Sequence, residues 1–139
     1  MTEKSDCIFC KIVAGEIPSQ KLCESERSIA ILDAFPATLG HALVITKTHR
    51  DSVLDMTAEE LADASLLMKQ TAAAVTKAVG CPAFNLLHNK GRLAGQLVLH
   101  AHFHVIPRFE DDSMKVKFSK VELTEHEKSD LAENIRKYL

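Results

Sequence analysis

The alternation of apolar and polar residues predicts a chain of short strands and a few helices. Short runs of branched apolar residues, bounded by turn-forming residues, indicate strands. The strands predicted in this way are Leu22–Glu24, Ser28–Leu32, His41–Thr46, Ala83–Asn89 and Leu97–Ile106. They cluster as hairpins on either side of one long helix, which favours an α+β fold with an antiparallel sheet.

Helices are predicted where capping residues precede apolar residues spaced three and four positions apart. Thr57-Ala-Glu-Glu60 is a capping box, and the helical spacing continues until Gly80 and Pro82 end it. We therefore expect one long helix whose apolar stripe faces the core. A second capping box, Thr124-Glu-His-Glu127, predicts a C-terminal helix, and the charged segment Glu110–Lys120 before it is expected to be mobile.

The composition is that of an ordinary globular protein of one domain. Of the 139 residues, 46% are hydrophobic and 26% are charged, and the net charge is -2. These values indicate neither disorder nor a nucleic-acid-coating surface. No run approaches the roughly 18 apolar residues of a membrane helix, and the N-terminal sequence MTEKSD has no apolar signal region. We therefore expect a cytoplasmic protein with no membrane and no nucleic-acid partner.

The sequence contains four cysteines, namely Cys7, Cys10, Cys23 and Cys81. In a cytoplasmic protein they are expected to be reduced. The last two belong to no motif and are predicted to be small core residues. The first two lie one turn apart if Asp6 caps a helix over about Cys7–Ala14 that ends at Gly15. This Cys-x-x-Cys pair indicates metal binding or redox chemistry.

Zinc binding is the first interpretation of the Cys-x-x-Cys pair. A structural zinc ion usually has four ligands, and two histidines would complete the set. His49 and His100 are candidates that spacing alone does not choose. A thioredoxin-like redox pair, ranked second, requires a strand-to-helix junction in a βαβ context, which the pattern lacks. Inert buried thiols are ranked third.

Three histidines alternate with apolar residues near the end of the last predicted strand: His100, His102 and His104. In a strand over Leu97–Ile106 all three imidazoles would project from one face, while the residues from Leu97 to Val105 on the other face would fill the core. Histidine can act as nucleophile, proton donor or metal ligand near neutral pH. The alternative is a wet strand face with incidental histidines. The preceding glycine-bounded loop, Asn89–Gln96, offers backbone N–H groups to a phosphate over His102.

Taken together, these motifs resemble the histidine triad (HIT) superfamily of nucleotidyl hydrolases and transferases. The run Gly95–Ile106 is similar to the family signature. The segments similar to its N-terminal element, nucleotide-edge strand and central strand are Cys7–Pro18, Ile31–Asp33 with Pro36, and Gly40–His49. The resemblance implies a HIT-like fold with its core over about 7–108, a C-terminal extension over 109–139, and a homodimer.

The resemblance also implies a role for each residue of a nucleotide site. His102 is implied as the nucleophile that attacks the α-phosphorus, with His104 bonded to the phosphoryl group and His41 supporting both. Asp33 is expected to bind the ribose hydroxyls, and Asn89 to face the phosphate. The other implied contacts are Phe9, Ile12, Ile31 and Ala34 around the base, and the backbone of Gly95, Gln96 and Leu97 at the phosphate.

A structural zinc ion is the implied cofactor, held by Cys7, Cys10, His49 and His100. The first functional hypothesis is a zinc-stabilised hydrolase that cleaves a P–N or related α-phosphate bond of a purine nucleotide conjugate through a covalent intermediate on His102. The second is a metal-dependent hydrolase in which the three triad histidines hold a catalytic ion. The third is a nucleotide-binding interaction protein with weak catalysis.

Two positions depart from the family pattern. Leu97 stands where the family commonly carries a polar residue, often serine, near the phosphate. This change is expected to affect the rate and the choice of leaving group. Thr46 replaces a frequent proline before Lys47, and this change is expected to affect only the end of a strand.

Overall fold

The computed structural model describes residues 4–139, and the first three residues of the N-terminal sequence MTEKSD lie outside the described residues. The helices are α1 (Ile8–Val13), α2 (Ala58–Val79) and α3 (Glu125–Arg136), and the strands are β1 (Lys21–Glu24), β2 (Ser28–Leu32), β3 (Ala42–Thr46), β4 (Ala83–Leu87) and β5 (His102–Arg108). Short 3-10 helices lie at Lys4–Asp6, Val53–Asp55 and Arg92–Ala94. The predicted α+β class, antiparallel sheet and long helix are confirmed.

The five strands form one sheet in the order β1-β2-β3-β5-β4, and each neighbouring pair is antiparallel. The central pair sets the position of two histidines of the triad. His102 lies opposite Ile45, and His104 lies opposite Leu43 on β3. Across the other side of β5, the ladder with β4 ends where Leu87 faces His104.

Each face of the sheet is covered by a different helix. On one face, α2 packs Ala64, Leu67 and Val75 against a cluster of strand residues that includes Phe103 and Val105. The predicted capping box fixes the start of this helix, since Thr57 and Glu60 exchange side-chain to backbone hydrogen bonds. On the opposite face, α1 packs against Ile29, Ile31, Leu43 and Ile45. Because side chains alternate along β5, His102 and His104 lie on this second face.

The start of α1 differs from the prediction. Cys7 is the N-cap, and its Sγ accepts a hydrogen bond from the Cys10 N–H at 3.4 Å. Asp6 cannot take this position because it belongs to the preceding 3-10 helix, Lys4–Asp6. The first cysteine of the pair therefore caps the helix with the sulfur that was expected to bind a metal.

The histidine strand begins at His102, so the predicted start at Leu97 is wrong. The chain before it bends, because the His100 N–H donates to the Val98 carbonyl oxygen at 2.9 Å and the Ala101 N–H donates to the Arg50 carbonyl oxygen at 2.6 Å. The expected apolar face is consequently incomplete. The side chain of Leu97 is 94% exposed rather than buried in the core.

The strand also continues through Pro107, where the sequence predicted a stop. The Ala101 carbonyl oxygen faces β3, accepting from the Thr46 N–H at 3.4 Å, so odd-numbered residues of this strand direct their backbone groups to β3. The β3 ladder ends at Val105, and the missing N–H of Pro107 therefore breaks no ladder bond. Its carbonyl oxygen accepts a hydrogen bond from Thr38 Oγ1 at 2.6 Å.

The C-terminal helix α3 is present, with the predicted capping box at Thr124. None of its residues is buried, and Leu131 and Ile135 are 49% and 50% exposed. Within residues 4–139, no helix is both long enough and apolar enough to cross a membrane.

Candidate active site

A cavity of about 760 Å³ lies over the face of the sheet that carries His102 and His104. It is bounded by α1, by the end of β2 and by the loop before β5. The predicted nucleotide contacts that line it are Phe9, Ile12, Ile31, Asp33, Ala34, Asn89, Gly95 and Leu97, together with His41, His102 and His104. The fold thus brings residues from distant parts of the chain to one cavity.

Gln96 is the predicted contact that does not line this cavity. Its side chain is buried, where Oε1 accepts from the Gly91 N–H at 2.8 Å and Nε2 donates to the carbonyl oxygens of Asp51 and Val98. The amide therefore holds the loop in place. The backbone N–H groups of Gly95 and Gln96 are also used inside the loop, whereas the Leu97 N–H has no partner within the described residues.

The tautomer of His102 follows from its contact with the main chain. Nδ1 lies 2.7 Å from the His100 carbonyl oxygen, which can only accept, so Nδ1 carries the proton. Nε2 then holds a lone pair, and it has no partner within residues 4–139. Burial lowers the pKa of His102 below the usual value for histidine. A neutral imidazole with a free Nε2 at a cavity is a nucleophile at neutral pH.

A chain of hydrogen bonds fixes the proton on His104. The Ala37 N–H donates to His41 Nδ1 at 2.9 Å, so the proton of neutral His41 is on Nε2. That Nε2–H donates to His104 Nδ1 at 2.9 Å, with Asp33 Oδ2 also 3.4 Å from it. His104 therefore carries its own proton on Nε2. Burial, with His102 and His41 nearby, lowers the pKa of His104 to about 4, so the ring is neutral at pH 7.

His41 is held neutral in the same way. Burial lowers its pKa, and the nearby Asp33 carboxylate opposes this effect. Asp33 is itself anchored, since its Oδ1 accepts from the Phe35 N–H at 2.8 Å. We refer to His41, His102 and His104 as the cavity histidines.

A second group, the cysteine–histidine cluster, consists of Cys7, Cys10, His49 and His100. Its ligand atoms all lie within 4.8 Å of one another. Cys7 Sγ is 3.2 Å from His100 Nδ1, and Cys10 Sγ is 3.3 Å from His49 Nδ1. Two sulfurs and two imidazole nitrogens at this spacing are the donor set of a tetrahedral structural zinc site.

The other nitrogens of these two imidazoles are already bound. His100 Nε2 lies 2.7 Å from the Thr46 carbonyl oxygen, and His49 Nε2 lies 3.3 Å from Asp51 Oδ1. Both acceptors require a proton on Nε2, which leaves the Nδ1 lone pairs directed at the sulfurs. Burial lowers the pKa of His100 to about 4 and so favours the neutral form. The residues therefore fit a metal ion.

Thr46 has a larger role than the sequence indicated. It is fully buried, its carbonyl oxygen holds His100, and its hydroxyl lies 3.3 Å from His100 Nε2. The expectation that this departure affects only a strand end is therefore wrong.

The three triad histidines do not converge on one ion. Within residues 4–139, His100 groups with the cysteines, whereas His104 groups with His41 and Asp33. His102 belongs to neither group. In the second group the Nε2 of His41 carries a proton, as shown above, and so presents no lone pair. This geometry does not match the hypothesis of a catalytic ion held by the triad.

His88 is a polar residue of the site that the sequence analysis did not identify. Its Nδ1 lies 2.9 Å from the His102 carbonyl oxygen, and the Val53 N–H donates to its Nε2 at 3.1 Å. Both partners are backbone groups, and a backbone partner leaves no residue-type pattern in a sequence. Only its position directly before Asn89 pointed towards the site.

Known proteins resemble this chain in both sequence and fold. The HIT domain family matches residues 14–111. An adenosine 5'-monophosphoramidase of Schizosaccharomyces pombe is 49% identical over 73% of this chain and 74% of its own length. The crystal structure of a HIT family protein from Bacillus subtilis is 36% identical, covers 96% of this chain and 97% of its own, and has a TM-score of 0.92. A Zn-bound histidine triad family protein from Mycobacterium smegmatis is 34% identical over 84% of each chain, with a TM-score of 0.75.

Proposed function

Because this chain belongs to the HIT domain family, we propose that it is a nucleotide hydrolase that cleaves a P–N or related α-phosphate bond of a purine nucleotide conjugate. One observation carries the proposal. The backbone holds the proton of His102 on Nδ1, so a free Nε2 is available on a ring that lines the cavity. The similarity to an adenosine 5'-monophosphoramidase supports the choice of a P–N bond.

The chemistry proceeds in two displacements. His102 Nε2 attacks the α-phosphorus, the N–P bond to histidine forms, and the bond to the leaving nitrogen breaks. The leaving nitrogen keeps the electron pair and takes a proton from water in the open cavity. A second water then attacks phosphorus, and the bond between phosphorus and His102 Nε2 breaks, which releases the nucleoside monophosphate. The attacking water loses a proton to solvent, and Nε2 regains its lone pair. The Nε2–H of His104 donates a hydrogen bond to the phosphoryl oxygen as its charge increases.

The rest of the cavity suits a nucleotide. We assign the base to the apolar wall formed by Phe9, Ile12, Ile31 and Ala34 and the ribose hydroxyls to the Asp33 carboxylate. The phosphate would accept from the unpartnered Leu97 N–H, close to Asn89. A carboxylate is an acceptor only, which matches the hydroxyl donors of a ribose.

We assign a structural zinc ion to the cysteine–histidine cluster. The ion would fix the cluster and so hold the main chain at His100, while His100 itself contributes the carbonyl oxygen that orients the nucleophile. The zinc-bound relative from Mycobacterium smegmatis supports this assignment. The metal then acts at one remove from the substrate.

We also propose a homodimer. The edge strand β4 exposes large apolar side chains, with Phe84 and Leu86 at 43% and 49% exposure. An open strand edge of this kind is a surface for pairing with another chain. Light scattering should give twice the monomer mass of 15.4 kDa, and Leu86→Lys should shift the protein to monomer. A wild-type monomer at micromolar concentration would contradict the proposal.

Trapping of the intermediate tests the proposed function. An adenosine phosphoramidate that turns over slowly should give, after a quench without acid, an adenylyl adduct that mass spectrometry places on His102. His102→Gly should give no adduct and still bind AMP, because the contacts from Asp33 and Asn89 remain. An adduct on another residue, or turnover by His102→Gly close to that of the wild type, would refute the mechanism.

A nucleotide-binding interaction protein with weak catalysis is the second candidate, and one observation favours it. Leu97 presents an exposed apolar side chain at the cavity where the family commonly has a polar residue. Slow turnover of adenosine and guanosine phosphoramidates and dinucleoside polyphosphates, together with tight AMP binding, would support this candidate over the first.

A further inference from the structure

The end of strand β4 leaves a gap beside the nucleophile. The β4–β5 ladder stops at Leu87, opposite His104. One step further along β5, the His102 carbonyl oxygen faces this gap, because the neighbouring Ala101 carbonyl oxygen faces β3 and successive residues alternate. The backbone of β4 therefore supplies no partner to the residue that we assign as the nucleophile.

The side chain of His88 fills this gap. Its Nδ1 lies 2.9 Å from the His102 carbonyl oxygen, and its Nε2 accepts from the Val53 N–H at 3.1 Å. A carbonyl only accepts and an N–H only donates, so His88 is the neutral tautomer with its proton on Nδ1. The ring also stacks on Phe103, with centroids 4.6 Å apart and planes at 29°.

We propose that His88 is a positioning residue for the attack by His102, an inference that rests on the proposed function. Two hydrogen bonds define the orientation of the nucleophile. His102 Nδ1 is held by the His100 carbonyl oxygen, and the His102 carbonyl oxygen is held by His88. The peptide after His102 is held on one side by the pairing of Phe103 with Val44 on β3 and, among the described residues, only by His88 on the other side. Without the His88 bond, the main chain at His102 can shift and move Nε2 out of the line of attack.

The anchor behind His88 is itself rigid. The Val53 N–H belongs to the 3-10 helix Val53–Asp55, whose start is closed by a capping box between Ser52 and Asp55. Ser52 is buried. His88 thus connects the nucleophile to a capped 3-10 helix that lies outside the sheet, and its own side chain does not line the cavity.

Packing and hydrogen bonding by His88 are separated by two variants. His88→Phe retains an aromatic ring to stack on Phe103 but loses both hydrogen bonds. His88→Gln loses the stacking but keeps an N–H donor for the His102 carbonyl oxygen and an oxygen acceptor for the Val53 N–H. The exposed histidine of α3, His126, provides the control substitution His126→Phe.

Steady-state kinetics with an adenosine phosphoramidate form the first test. We expect His88→Phe to lower kcat by about tenfold with KM and AMP binding within about twofold. His88→Gln should recover kcat to within about threefold of the wild type, although its Tm is lower. If His88→Phe turns over like His126→Phe, or if kcat follows Tm in both variants, the inference is overturned.

Nuclear magnetic resonance of the imidazole nitrogens provides a test that needs no turnover. In the wild type, we expect His88 and His102 each to carry a proton on Nδ1. In His88→Phe, the shifted main chain should weaken the bond from His102 Nδ1 to the His100 carbonyl oxygen, so the His102 ring should exchange between tautomers instead of showing one. A proton on Nε2 of wild-type His88, or an unchanged His102 signal in the variant, would overturn the inference. If the spectra are as expected but no adduct forms on His102, the proposed function is refuted and the inference about the orientation of His102 by His88 is not.

Discussion

The cysteine–histidine cluster and the assigned nucleophile of the cavity, His102, use the same side chain through opposite ring nitrogens. In the cluster, His49 and His100 donate from Nε2 to an aspartate and a carbonyl oxygen, and Nδ1 faces the sulfurs. In the cavity, His102 donates from Nδ1 to a carbonyl oxygen, and Nε2 is left free. The oxygen that holds each ring therefore decides which nitrogen is available, and its neighbours decide what that nitrogen can bind.

The two groups meet at one peptide. The ring of His100 belongs to the cluster, whereas its carbonyl oxygen orients His102. Substitution of a cavity histidine should therefore lower kcat and leave the stability of the fold unchanged. Substitution of a cluster residue should lower the stability of the fold, and it should lower kcat only as a consequence.

The largest expected effect is the loss of the nucleophile. His102→Ala should lower kcat by at least about a thousandfold, since the other two cavity histidines carry their protons on Nε2 and so offer no lone pair there. Its Tm and zinc content should remain close to those of the wild type. Turnover of a phosphoramidate, elemental analysis and thermal melting check these three outcomes, with His126→Ala as the control. Loss of zinc in this variant would show that the two groups are not separable.

Removal of a cluster ligand should have the opposite pattern. Cys10→Ser should lose the metal and lower Tm by about 10 °C or more, because the free energy of zinc binding stabilises the folded state. Cys23→Ser, at a half-buried cysteine outside the cluster, is the matched control. If Cys10→Ser keeps stoichiometric zinc, or if the wild type binds none, the metal assignment fails.

The elements that depend on local signals were predictable, and those that depend on distant backbone groups were not. The Thr57 capping box and the period of apolar residues located α2 correctly. The bend before β5 was missed because it is set by the Arg50 carbonyl oxygen, which lies far from Ala101 in the sequence. Periodicity alone continued the strand back to Leu97 and so placed that side chain in the core.

The candidate site shows the same division. The four cluster residues and the cavity histidines were named from motif and resemblance, and the fold brings each set together. The side chain of Gln96 and that of His88 act on backbone groups, which no residue pattern records. The roles of Gln96 and His88 could therefore be recognised only from the structure.

The relay behind His104 should have an intermediate effect. His41→Phe removes the Nε2–H that His104 accepts, so the proton on His104 is no longer restricted to Nε2. We expect kcat to fall by about a hundredfold with KM within about threefold. His126→Phe is the control. Steady-state kinetics over a range of substrate concentrations measure the changes in kcat and KM separately. An unchanged kcat in His41→Phe would show that His104 is oriented by other contacts.

Acid should weaken both the fold and the activity through the buried histidines. The pKa of His104 is about 4 in the folded protein and 6.5 in the reference state. Below pH 6.5 the unfolded chain binds more protons than the folded chain. The free energy of unfolding therefore does not depend on pH through this group above pH 6.5 and decreases as the pH drops to about 4. Denaturant titrations at stepwise pH should show this decrease in the free energy of unfolding, and His104→Gln should reduce it.

The activity should also depend on pH through His102. Its lowered pKa should keep the acid limb of kcat/KM below pH 6.5. An acid limb at or above pH 6.5 would contradict this prediction.

The smallest effect concerns Leu97, where the cavity lacks a hydroxyl. Its side chain is 94% exposed, so Leu97→Ser removes no core contact, and Tm should change by no more than about 2 °C. A serine hydroxyl that donates to the charged phosphoryl oxygen is worth about 1.5–3 kcal/mol, and kcat/KM should rise by about tenfold or more. Leu93→Ser, at a fully exposed leucine of the same loop that does not line the cavity, is the matched control. If both variants leave the rate unchanged, the Leu97 N–H and His104 already stabilise the phosphoryl oxygen, and the hydroxyl is dispensable in this chain.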